Sequence, residues 1–142
     1  MVSNTRIIDF NTISSQVGNL VPLETLNQIP FCVKRVYYIY GVPNNVTRGF
    51  HSHRLLEQVL ICMHGNVKIR VKTPIEEQII ILDKPNIGLY IGHMVWREMF
   101  DFSDDAVLVV LASEHYTEDD YIRDYSKYEN EALEYFSVKE IK

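Results

Sequence analysis

In the hexapeptide Arg48-Gly49-Phe50-His51-Ser52-His53, two histidines stand at i and i+2 inside a β-type pattern. Side chains two apart on a strand share a face, so the two imidazoles are aimed into one space, about 6.6 Å apart along the strand. Imidazole titrates near neutrality, and such a pair can take up and return protons without a cofactor. The same spacing also suits a metal. The choice between these two chemistries is most of the functional problem.

The residues around the pair bear on that choice. From Gly49 to Gly65 the chain resembles the first motif of the cupin superfamily, a jelly-roll of antiparallel strands. That motif runs His-x-His, a short spacer, an acidic residue, six residues, then glycine. Counting back from Gly65 places Gln58 at the acidic position, with Glu57 on the other face of a regular strand. The second motif, Pro-x-Gly-x-x-His, resembles Gly92-His93-Met94-Val95-Trp96-Arg97, with Arg97 where the ligand histidine would stand. An amide is a poor substitute for a carboxylate, and a guanidinium cannot be deprotonated to ligate a metal. Only His51 and His53 of the usual ligands remain, where typical sites use three or more protein ligands. The expectation is proton transfer with no metal and no other cofactor. His93 is the one histidine placed to restore a ligand, and it reads first as a surface or loop residue; His64 and His115 read as turn and loop residues. A plainer alternative is a pair of hydrogen-bonded core histidines, in which each buried titratable group must be satisfied.

Short strands must hold this pair. Segments 6–10, 19–24, 34–40, 48–53, 57–63, 66–72, 77–82, 87–91, 95–100 and 106–112 read as strands punctuated by Gly, Pro, Asn or Asp. Their regular spacing implies a β-sandwich or barrel. At Thr117 the character changes. Thr117-Glu118-Asp119-Asp120 reads as a helix N-terminus, a hydroxyl cap followed by acidic first-turn residues. Tyr121, Ile122, Tyr125, Tyr128 and Leu133 then recur near helical spacing, and the tyrosines read as a packing stripe. The expected architecture is all-β: one cupin jelly-roll β-sandwich over 1–142, with strands to about 113 and a short C-terminal helical segment from about 117.

At 142 residues and 46% hydrophobic the chain can bury a real core. A net charge of −5 argues against nucleic acid as a partner. Any anionic ligand must be held by locally placed arginines. Cys32 and Cys62 lie in apolar runs and read as free, buried thiols. No signal-peptide pattern is visible, and no apolar run approaches the ~20 residues of a membrane span. A cytoplasmic protein with no membrane partner is the expectation.

Several motifs agree in order and spacing. Lys34-Arg35-Val36-Tyr37-Tyr38-Ile39, Arg48-Gly49-Phe50-His51-Ser52-His53, Leu56-Glu57-Gln58-Val59-Leu60, Gly88-Leu89-Tyr90-Ile91-Gly92, Val95-Trp96-Arg97-Glu98-Met99 and Tyr121-Ile122-Arg123 together resemble the dTDP-sugar 3,4-ketoisomerases, from about residue 6 to 128. The resemblance implies an isomerase of dTDP-4-keto-6-deoxy-glucose serving deoxy-amino-sugar biosynthesis. It also implies a homodimer in which N-terminal strands, residues from about 6 to 24, cross to the partner. Arg48-Gly49-Phe50-His51 further resembles the dTDP-sugar 3,5-epimerases, which share the substrate and use the histidine as base but lack a second histidine at this spacing. A 3,5-epimerase and a noncatalytic sugar-binding cupin are therefore the alternatives.

The implied reaction removes a proton from carbon 3, passes through an enediolate and reprotonates carbon 4. Proton transfers suffice for it. His51 matches the base of the resembling families, and His53 is the candidate for the later proton transfer. Tyr37 or Arg97 is the candidate donor to the developing oxyanion. Arg35, Arg48 and Arg123 are the candidates for the pyrophosphate, since arginine forks match phosphate oxygens. Arg35 and Tyr37 share a face, whereas Arg48 would face away from His51 unless Gly49 marks a bulge. Trp96 is read either as stacking on thymine or as packing in the core. Within the resembling family, galactose-forming members tend to pair histidine at position 97 with arginine near 17. Arg97 with Val17 therefore implies the glucose-configured product, dTDP-3-keto-6-deoxy-glucose.

Overall fold

Burial with a period of two builds the sheets. In β7 (Val67–Lys72), buried Val67, Ile69 and Val71 alternate with half-buried Lys68, Arg70 and Lys72. In β4 (Arg35–Tyr40), half-buried Arg35, Tyr37 and Ile39 alternate with exposed Val36, Tyr38 and Tyr40. The computed structural model describes residues 1–141, with side chains described to residue 137. Of the expected 1–142 domain only Lys142 lies outside the described residues.

The strands form two five-stranded antiparallel sheets. The first runs β1 (Thr5–Asp9), β9 (Ile87–Ile91), β6 (Gln58–His64), β11 (Val107–Ala112), β4. The second runs β12 (Tyr121–Ile122), β5 (Arg48–His53), β10 (Trp96–Phe100), β7, β8 (Glu77–Leu82). A separate hairpin joins β2 (Ile13–Ser15) to β3 (Gly18–Leu20). This is the expected jelly-roll sandwich. Leu60, Cys62, Leu89, Ile91, Leu108 and Val110 of the first sheet meet Val67, Ile69, Val71, Ile80 and Leu82 of the second in the main core. β6 is buried on both faces, because Val59 and Ile61 pack outward against Phe10, Ile29, Phe31 and Leu111.

Three expectations need correction. The strand read at 19–24 is the second arm of the 13–20 hairpin; beyond it Val21 and Leu23 leave strand geometry to cover the outer face of the first sheet. Cys32 is exposed rather than buried, although Cys62 is buried and both are free; its neighbour Phe31 takes the inward position. The helix does not begin at Thr117. Thr117 makes no side-chain cap, Glu118–Asp120 form a single 3-10 turn, and Tyr121–Ile122 are captured as β12 by the edge of β5. The helix α1 (Tyr125–Ile141) starts after Asp124, whose carboxylate accepts from the Lys127 amide at 3.1 Å. Its Tyr128 and Ala132 pack with Met94, Trp96 and Ile122 on the outside of the second sheet. Among the described residues no helix is long and apolar enough to cross a membrane.

Candidate active site

A backbone irregularity sets the direction of the histidines. Gly49 has φ +97° and Phe50 has φ 54°. Across from them the β5–β10 register slips: Arg97 pairs with His51, yet Glu98 pairs with Gly49. Phe50 is therefore the extra residue of a β-bulge. A Cβ on Gly49 would sit 2.9 Å from the Arg97 carbonyl oxygen, so glycine is required both by conformation and by space. The bulge brings Arg48 to line the same cavity as His51, which a regular strand would not do.

His51 and His53 meet edge to face with ring centroids 4.8 Å apart. Tyr121 lies over both, 4.9 Å from His51 and 4.2 Å from His53. Arg97, the register partner of His51, is 1% exposed. Its Nη1 donates to Gln58 Oε1 at 2.6 Å and its Nη2 to the Val95 carbonyl at 3.0 Å. Gln58 Nε2 in turn donates to the Tyr37 hydroxyl at 3.0 Å. Tyr37 accepts that bond and keeps its own O–H to donate elsewhere.

Burial, and after it the Arg97 charge, pushes the His51 pKa down to about 3, and the same two causes hold His53 well below the ordinary imidazole range. Both rings are neutral at pH 7, ready to accept a proton. Burial lowers Arg97 to about 10, so it remains cationic, and raises the Tyr37 phenol, so it remains protonated. The site thus offers two bases, one O–H donor and one buried cation.

Two cavities open from the pair and share Arg35, Tyr116 and Tyr121 in their walls. One, of about 550 Å³, adds Tyr37, Arg48, His51 and Arg123. The other, of about 680 Å³, adds His53, Arg54 and Asp120. The structure therefore brings His51, His53, Arg35, Tyr37, Arg48, Arg97 and Arg123 into one neighbourhood. Trp96 does not join them. It is adjacent to Arg97 on β10 and so points to the opposite face, where it is buried against Tyr125 and Tyr128. Tyr121 and Asp120 were read as a packing tyrosine and a helix-start acid; their place beside the histidines depends on the two-residue β12, too short to show a period.

The residues do not fit a cupin metal. The two positions that would complete the ligand set are an amide and a guanidinium hydrogen-bonded to each other. A cation there would also face the Arg97 charge. Among the described residues no group of three or more His, Cys, Asp or Glu side chains converges on one point.

The depressed histidines predict a pH response. With the folded pKa of His51 below its unfolded value near 6.5, the unfolded chain binds more protons between those two values. Stability is therefore independent of His51 above about pH 6.5 and falls as pH drops toward 3, by about 1.4 kcal/mol per pH unit. Urea unfolding from pH 8 to 4.5 should show that decline, eased in His51→Asn. In kcat/KM no protonation step should appear near pH 6.5. Such a step would mean that His51 keeps an ordinary pKa.

The FdtA family model, WxcM-like C-terminal, matches residues 3–133. A TDP-4-oxo-6-deoxy-alpha-D-glucose-3,4-oxoisomerase from Aneurinibacillus thermoaerophilus is 46% identical over 123 residues, 87% of this chain and 88% of that protein. The chain belongs to this family. Among solved structures, the sugar 3,4-ketoisomerase QdtA from Thermoanaerobacterium thermosaccharolyticum, in complex with TDP, superposes with TM-score 0.93 at 55% identity, over 96% of this chain and 99% of that one. The WlaRB TDP-quinovose 3,4-ketoisomerase from Campylobacter jejuni gives 0.88 at 43% identity, over 91% and 99%. An rmlC epimerase from Mycobacterium tuberculosis is 17% identical with TM-score 0.70, a likeness of fold alone. Membership in the ketoisomerase family therefore sets aside the 3,5-epimerase and noncatalytic alternatives.

Proposed function

We propose that this chain moves the ketone of dTDP-4-keto-6-deoxy-glucose from carbon 4 to carbon 3 and releases dTDP-3-keto-6-deoxy-glucose. The observation that carries the reading is the pair of buried imidazoles in contact on one strand, beside a tyrosine hydroxyl and a buried guanidinium. His51 takes the carbon 3 proton, acidified by the neighbouring carbonyl. Tyr37 and Arg97 supply the O–H and the positive field that stabilise the enediolate oxygens. His53 carries the later proton, and carbon 4 is reprotonated as the carbon 3 ketone forms. Each positioned acid or base contributes roughly 10²- to 10⁴-fold. Arg35, Arg48 and Arg123 meet the pyrophosphate; Arg123 is at present held by Glu118 at 2.6 and 3.0 Å, and the phosphates would compete for it.

The test is incubation with the substrate in heavy water, with and without EDTA. Deuterium should enter at carbon 4, at a rate EDTA leaves unchanged. In product made separately in ordinary water, the carbon 4 and carbon 5 protons should show the large coupling of an equatorial hydroxyl. Deuterium at carbons 3 and 5, or activity lost with a removed metal, would overturn the reading. A small coupling would reverse the configuration inferred from Arg97 and Val17.

The enzyme is further proposed to act in the cytoplasm, whose reducing conditions suit two unpaired thiols. It is proposed to work as a homodimer. Three exposed apolar side chains, Val36, Tyr38 and Tyr40, line edge strand β4, and the 13–20 hairpin is exposed at every residue, Val17 at 98%. Exchange of the N-terminal strands, residues from about 6 to 24, with the partner is proposed to cover these surfaces. Sedimentation at micromolar concentration should give a dimer; a monomer would refute it.

A further inference from the structure

Asp120 closes the 3-10 turn just before β12, and the segment that follows His53 grips it at three points. Its Oδ1 accepts from the Leu55 amide at 2.9 Å and its Oδ2 from the Leu56 amide at 3.1 Å. Its carbonyl accepts from the Arg54 amide at 3.2 Å. The carboxylate is thereby fixed, with Oδ2 lying 3.3 Å from Nδ1 of His53. That approach is an ion-pair distance without hydrogen-bond alignment, since Nδ1 has no aligned partner. Catalytic contacts are often this loose before substrate arrives and tighten in the complex. The other ring nitrogen, Nε2, is buried and has no hydrogen-bond partner among the described residues. Charged and titratable neighbours face His53 from every side: His51 on its own strand, Arg97 from β10, Arg35 from β4, and Tyr121 and Arg123 from the β12 segment. The charged ones among these are basic, and Asp120 is the acid that lies against the ring among the described residues.

We infer that Asp120 is a positioning residue for the ketoisomerisation. It holds the neutral His53 ring with its proton on Nδ1, so that the Nε2 lone pair is presented to substrate. When Nε2 takes a proton, the resulting imidazolium lies against the carboxylate. The inference rests on the reading of His53 as a proton carrier. It adds to the residues proposed above one that acts through His53.

The test combines a measurement on the unaltered enzyme with one variant. In ¹⁵N-histidine-labelled enzyme at pH 7.5, His53 is assigned by its loss in His53→Asn. Its Nδ1 should carry the proton and its Nε2 should be bare; the opposite tautomer overturns the inference whether or not Asp120→Asn folds. In Asp120→Asn, one amide keeps its acceptor. The His53 nitrogen shifts should move toward the other tautomer or a mixture, and kcat should fall on the order of 10²-fold with KM within about threefold. Asp120→Glu should recover part of kcat. Unchanged nitrogen shifts in Asp120→Asn would overturn the inference. Shifted nitrogens with an unchanged kcat would instead overturn the reading of His53.

Discussion

His51→Asn should fold, bind nucleotide and turn over less than about 1% of what the wild type does. Asparagine keeps a polar group of similar reach but cannot accept a proton near neutral pH, and a positioned base is worth roughly 10²- to 10⁴-fold. The buried site makes the distinction sharp. His51 is neutral through burial and the Arg97 charge, so its chemical use is as an acceptor. Replacing it removes that acceptor and leaves the Arg97–Gln58–Tyr37 chain of hydrogen bonds intact. Tm should change little and nucleotide affinity should stay within about threefold. Turnover within threefold of wild type would show that the base is another residue.

Replacing Arg97 and Gln58 together with methionine should leave Tm at or above the wild-type value while lowering turnover more than about 100-fold. Arg97 is a fully buried cation with no carboxylate within ion-pair distance among the described residues; its hydrogen bonds go to an amide oxygen and a carbonyl. Taking such a charge out of water opposes folding, and well-packed apolar replacements of buried polar groups are often neutral or stabilising by 1–4 kcal/mol. Changing Gln58 at the same time avoids leaving its oxygen unpaired. The expected separation of stability from activity follows from the proposed mechanism, in which the negative charge that develops on the substrate is the partner for Arg97. A Tm lowered by more than about 5 °C would show that the cation supports the fold.

How much of this was legible from sequence varies by element. The strands from 34 to 112 were readable because runs rich in β-branched and aromatic residues are set off by Gly, Pro, Asn or Asp, and β5, β8 and β9 fall on the expected residues. Arg35 and Tyr37 were placed on one face by parity alone, and both line the same cavity. Gly49 carried the bulge signal, since an isolated glycine in a strand is what a bulge requires. Trp96 was read as either stacking on thymine or packing in the core, and its packing against Tyr125 and Tyr128 matches the second reading, which parity with Arg97 already favoured. Asp120 and Tyr121 were not legible. Their acidic and aromatic run satisfies helix rules locally, and what overrides them is capture of the backbone by β5 and by the Leu55 and Leu56 amides. Local pattern cannot contain that information, because the partners lie some sixty residues upstream.

The two sides of the histidine pair are anchored very differently. Gln58 sits on β6, which is covered on both faces and hydrogen-bonded between β9 and β11, whereas Tyr121 belongs to a two-residue strand at the end of its sheet. Amides of β6 should exchange with solvent only when the whole protein unfolds, while those of β12 can exchange by a local opening. The site is thus anchored unequally: Gln58 is held by strands on both sides, whereas Tyr121 is tied to its sheet through β5 alone, and amide exchange should read that difference.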